Sequence, residues 1–204
     1  MYVLRAKVQF EILPDWGVAG SLKNNTPPQH PSEPQLSFPV NAQGEIQLPH
    51  TGSLKIAPRA ELPAYDAAAE AAWQQHEIQS GYPWICAATS ESCVAQMLNQ
   101  HTIGGVHFRK GCYPGQEVIA RAQYRGQVKR GLAIASSPAA QSAGAEVQDE
   151  AGGEAGIVLN TSGSLNLLVI KHSAAHRPLR DAAGNAFAVQ HLFFAAENSS
   201  EDKE

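Results

Sequence analysis

Five runs, QVKRGLAIAS (127–136), AEVQDE (145–150), EAGIVLN (154–160), SLNLLVIK (164–171) and AFAVQHLFF (186–194), decide how the second half of this chain folds. Each is short, and most are dominated by apolar or β-branched residues. Turn-forming residues separate them, Gly152-Gly153 and Gly184-Asn185 among them. Several strand-sized segments punctuated this closely pair most easily with their neighbours in sequence. The reading is a small antiparallel barrel or sandwich over residues 126–195.

The pattern changes upstream of Gly126. Residues 64–79 (AYDAAAEAAWQQHEIQ) are rich in good helix formers, and Gly81 and Pro83 stop the helix. Residues 90–100 read as a second helix, with Ser90 as its N-cap and Glu91 in its first turn. Short strands are expected at 44–48 and 53–57, and a Pro/Asn/Ser-rich loop at 20–35. Apolar residues alternate with polar ones from Tyr2 to Ile12, the signature of a half-buried strand. A strand that opens a chain with no cap before it needs partners from elsewhere, which suggests part of a longer domain. Residues 196–204 read as a mobile acidic tail. The expected class is α+β: a mixed region over 1–125, then a β-rich region over 126–195.

Bulk composition removes several classes of function. The 204 residues are 43% hydrophobic and 17% charged, which suits a chain with a proper core and excludes disordered and fibrous classes. The formal charge of −4 gives the whole molecule no general attraction to nucleic acid or anionic lipid. Three cysteines without a C-x-x-C pair argue against a disulfide framework or an ordinary zinc finger. No apolar run has the length of a membrane span, and the N-terminus has no signal-peptide pattern. A soluble protein of the reducing cytoplasm is expected.

Six of the fifteen Lys and Arg residues (Arg109, Lys110, Arg121, Arg125, Lys129 and Arg130) fall between Phe108 and Arg130, against the single acid Glu117. This is either a local anion site or a solvated basic face. Within it lies Lys110-Gly111-Cys112-Tyr113-Pro114-Gly115-Gln116-Glu117. Gly111 and Gly115 suit a turn with close backbone approach, Pro114 fixes it, and a helix is expected to start near Gly115. Cys112 then precedes a helix N-terminus and follows a lysine, both of which favour a thiolate. The alternative is a small buried cysteine in a glycine-rich turn.

This octapeptide, with the following V-I-A-R and Y-R-G-x-x-K-R, resembles the K-G-C-[FY]-x-G-Q-E signature of YgfZ-type proteins in the glycine-cleavage T-protein superfamily. Upstream of it, Ile78, Gly81 and Pro83, then Q-M-L-N at 96–99 and G-G-V-x-F at 104–108, fit the family in the right order. The resemblance is close over about residues 64–135. It implies the C-terminal part of a T-protein-like folate-binding α+β domain followed by a small antiparallel β-barrel. It implies tetrahydrofolate or a one-carbon derivative as ligand, and an accessory role in maintaining iron–sulfur enzymes and in tRNA modification. Lys110, Gly111, Tyr113, Gly115, Gln116 and Glu117 match the motif. Cys112 matches its functional thiol, with the roles of nucleophile, redox group or transient ligand all open. Trp73 matches a folate-facing tryptophan, and Arg121 and Arg125 are candidates for the carboxylates of a folate or the phosphates of an RNA. The family has a substantial stretch ahead of the strand that opens this chain.

Other arrangements are weaker. His101, His107 and Cys112 match no common zinc spacing, His172 and His176 have H-x-x-x-H spacing but at a strand end and not on a helix, and no metal is expected. Cys86 and Cys93 read as buried structural thiols. Two further functions compete with the accessory role. A tetrahydrofolate-dependent aminomethyl or methyl transferase of the T-protein type is one, and the thiol motif favours the accessory group over it. Direct tRNA binding through the basic segment is the other.

Overall fold

The computed structural model describes residues 9–22, 38–49, 52–108 and 111–195. In chain order the elements are β1 (Trp16–Leu22), β2 (Ile46–Gln47), β3 (Gly52–Pro58), α1 (Ala67–Ser80), α2 (Gln116–Tyr124), β4 (Arg130–Ser136), β5 (Glu146–Asp149), β6 (Glu154–Ser162), β7 (Leu165–Lys171), β8 (Leu179–Arg180) and β9 (Ala186–Leu192). The class is α+β. The last six strands close an antiparallel barrel in the order β4-β7-β6-β5-β8-β9. Of the two arrangements the sequence allowed, the barrel is the one formed.

Barrel strands have an inner and an outer face, and here both are dry. On β4, Ala133 and Ala135 join the interior cluster with Val147, Val158, Leu168, Ile170 and Phe187. The alternate residues Leu132 and Ile134 join an exterior cluster with Leu159, Leu167 and Val169, which Ile78 of α1 and Leu98 cover. This explains why GLAIA and LLVI are nearly continuous apolar runs instead of alternating ones. Each fully buried leucine contributes about 1.5–3 kcal/mol relative to an exposed one. The barrel's outer wall is therefore the surface on which α1 is mounted.

Helix α1 forms where the alanine-rich run predicts it. Asp66 caps it, its carboxylate accepting from the N–H groups of Ala68 (2.8 Å) and Ala69 (3.3 Å). Gly81 ends it at φ 72°, a left-handed conformation that favours glycine. A Cβ on Gly81 would also lie 2.5 Å from the Phe193 ring. Strands β1 and β2 flank β3 in a separate sheet, with Val18 opposite Ile56 and Gly20 opposite Leu54.

Four expectations need correction. The strand read over 2–12 falls mostly outside the described residues, and its described end, 9–12, is not strand. There Phe10 is 95% and Ile12 89% exposed. The loop read at 20–35 begins inside β1, which runs to Leu22, and the rest lies outside the described residues. The helix read at 90–100 reduces to a 3-10 turn, Ala95–Leu98. Thr89 and Ser92 turn their hydroxyls on nearby backbone carbonyls, and Glu91 adopts φ 61°. Local side-chain bonding of this kind competes with helix. Cys86 is exposed and Cys93 half-buried, so neither is a buried thiol. The tail at 196–204 lies outside the described residues.

Candidate functional site

The motif forms the predicted turn ahead of α2. Gly115 occupies the N-cap at φ 83°, and Gln116 begins the helix. The backbone N–H of Tyr113 donates to Gln116 Oε1 at 3.3 Å, which ties the turn to the helix it introduces. Cβ atoms on Gly111 and Gly115 would meet nothing within 4 Å, so the turn is open to solvent. Cys112 is exposed, and the buried alternative fails. Glu117 lies in the first turn of α2, and Arg121 and Arg125 sit at its far end, both exposed. Gln96 holds the helix against the chain, its Nε2 donating to the Ile119 carbonyl at 2.6 Å. Arg109 and Lys110 lie outside the described residues.

A second site lies between α1 and the barrel. Glu70, Trp73, Gln74, Glu77 and Ile78 recur at helical spacing, so they share one face of α1. That face, Trp84 and Cys86 from the segment after α1, and Asn160 and Thr161 of β6 line a cavity of about 380 Å³. The cavity lies within the size range of small-molecule sites and carries the apolar lining with few polar groups that such sites show.

Glu77 organises it. Its side chain is only 5% exposed, and its Oε2 accepts the Trp84 indole N–H at 2.5 Å. The Trp73 indole donates to the same carboxyl group. Burial pushes this carboxyl above its ordinary range, and the two indole donors oppose the shift. Trp73 is held on its other side as well: a Cβ on Gly20 of β1 would lie 2.8 Å from its ring. Glycine at position 20 is what lets the sheet close on the indole.

Cys86 sits in a tight turn at the cavity. The Thr89 hydroxyl lies 3.5 Å from its Sγ, and the Thr89 backbone N–H donates to the Cys86 carbonyl at 3.1 Å. The hydroxyl, and next the Ala88 backbone, hold this exposed thiol below its ordinary pKa. Cys93 packs against the exterior cluster of the barrel.

The structure thus places the sequence-derived candidates in two groups. Trp73 lines the cavity. Cys112, Arg121 and Arg125 belong to the α2 region and are not among the residues lining it. Glu77, Trp84 and Asn160 were not anticipated. Glu77 had a readable signal, its i, i+4 spacing from Trp73 on one helix. Trp84 and Asn160 had none, since they meet across 76 residues of sequence. His172 stacks on Phe194 at 4.2 Å.

An α+β chain with a closed six-stranded antiparallel barrel, an exposed thiol turn and a two-indole cavity is the class these observations define. About a third of the chain is similar to proteins named tRNA-modifying protein YgfZ. Identity is 49% over 67 residues with the one from Vibrio atlanticus, covering 33% of this chain and 21% of that protein. It is 46% over 77 residues with that of Colwellia psychrerythraea, covering 38% and 23%, and 42% over 69 residues with that of Escherichia coli, covering 34% and 21%. The matched stretch therefore spans about a fifth of the relatives' length. No protein-family model matches the chain. Among the described residues, no helix is long and apolar enough to cross a membrane.

Proposed function

We propose that this chain is a folate-binding accessory protein that supports tRNA modification and the maintenance of iron–sulfur enzymes. The observation that carries the reading is the cavity on α1. Trp73, the residue that the T-protein resemblance assigns to folate, lines it beside a second indole and a buried carboxyl. A pterin is a flat, polar-edged heteroaromatic ring. It gains from stacking on an indole and from a few fixed polar atoms around it. The names of the relatives supply the link to tRNA modification. In this reading the proposed domain is a T-protein-like folate-binding region, acting in the cytoplasm.

Cys112 serves as the functional thiol, presented on an open turn where an enzyme partner reaches it. Arg121 and Arg125, exposed on α2, are available to anionic groups of a partner, the phosphates of a tRNA included. Since Arg121 and Arg125 do not line the cavity, contact with the glutamate tail of a folate requires the ligand to extend beyond it.

The test is a titration of the chain with tetrahydrofolate or folinic acid, followed by tryptophan fluorescence, with Trp73→Phe as control. Saturable quenching that is weakened in the variant supports the reading. Absence of saturable quenching in the parent chain overturns it.

A further inference from the structure

Trp84 is 61% exposed, which for the largest apolar side chain is a cost without a partner. Exposed aromatic side chains ordinarily sample several rotamers, yet this residue is tied at three points, two on its main chain and one on its indole. Its backbone N–H donates to Asn160 Oδ1 at 2.9 Å. Its carbonyl accepts from Asn160 Nδ2, also at 2.9 Å. Its indole N–H donates to the buried Glu77 carboxyl. Asn160 stands on β6, inside the barrel wall, and Glu77 on α1, so the ties run to two separate rigid elements.

The result is an indole whose edge is committed and whose remaining surface is open at the cavity. Such an arrangement loses its ordering entropy in folding, so a ligand that stacks on it need not pay that cost again. First-contact groups locked by supporting hydrogen bonds on rigid elements are what accurate recognition requires.

We propose that Trp84 is a pre-organised stacking platform for a flat fused heteroaromatic ring, and that Asn160 is the residue that positions it. This rests on the cavity reading above and adds to it a second wall. The ring class is set by the lining: indole surface for a flat face, and the carboxyl and amide groups of Glu77 and Asn160 for a polar edge. A pterin and a purine both answer that description.

The test measures binding of two probes, folinic acid and guanosine monophosphate, to the full chain by calorimetry. Trp84→Ala and Asn160→Ala are compared with the parent chain, and retention of the fold is checked by thermal unfolding. At least a tenfold weaker Kd for Trp84→Ala is expected, within the range that ring stacking on an aromatic side chain supplies. Asn160→Ala should weaken binding and speed hydrogen exchange at the Trp84 indole N–H, leaving that of Trp16 unchanged. Binding of folinic acid with this dependence supports both proposals. Binding of guanosine monophosphate alone, with the same dependence, supports the platform and overturns the folate reading. Binding of folinic acid that neither variant weakens overturns the platform and leaves the folate reading intact. If neither probe binds the parent chain, both are overturned.

Discussion

At the scale of single residues, Glu77 carries the most consequence, because a buried carboxyl between two indole donors ties the placement of both indoles to proton binding. Its pKa is raised in the fold by burial. The folded chain therefore holds this proton more tightly than the unfolded chain. The stabilisation is complete below the ordinary carboxylate range, about pH 4, and is lost as pH rises through the folded value. Glu77→Gln keeps an acceptor for Trp84 and cannot ionise. Urea unfolding across the pH range should show the variant gaining stability relative to the parent chain as pH rises. A pH-independent difference would contradict this account. Cys86 is the other residue whose surroundings dictate behaviour. If the Thr89 hydroxyl supports its thiolate, Thr89→Val should slow alkylation of Cys86 by iodoacetamide near neutral pH severalfold, read by mass spectrometry with Cys112 as internal comparison. Equal rates would remove the role given to Thr89.

At the scale of elements, the glycines separate load from freedom. A Cβ at Gly156 of β6 would lie 2.1 Å from the Val169 carbonyl oxygen of β7, and backbone cannot step aside as a side chain can. Gly156→Ala should therefore destabilise the barrel by about 2 kcal/mol or more, in the range set by overpacking a dense core. Gly111→Ala, with nothing within 4 Å, should fall within about 0.5 kcal/mol of the parent chain in the same denaturation experiment. The elements also show which sequence signals were sufficient. Helix α1 was legible because propensity, the carboxylate cap at Asp66 and the stop at Gly81 agree. The five long barrel strands were legible because apolar runs and turn residues coincide. The 90–100 segment was misread because its composition suits a helix while Thr89 and Ser92 satisfy backbone groups in a turn. Strand β1 was missed because WGVAGSL carries two glycines and little alternation; its glycine at position 20 is there for the Trp73 ring. Strand β8, at two residues, is too short to leave a pattern.

At the scale of the whole molecule, the barrel serves as a mount. Its outer wall buries Ile78 of α1 and Leu98, and its strand β6 supplies Asn160 to the cavity. The same packing explains how much of the site was readable. Trp73 and Cys112 stand in local motifs, so sequence alone singles them out. The clamp of Trp84 by Asn160 and Glu77 exists only once the barrel brings β6 beneath the end of α1. The three tryptophans of the chain give a direct way to test where a ligand goes, because Trp73 and Trp84 line the cavity and Trp16 lies in β1. The measurement is a titration of the ¹⁵N-labelled chain with folinic acid, following the three indole N–H resonances, each assigned by its Trp→Phe variant. Saturable shifts at Trp73 and Trp84, with Trp16 unmoved, are the result this account predicts. Saturable shifts confined to Trp16, or none at any indole, would contradict it.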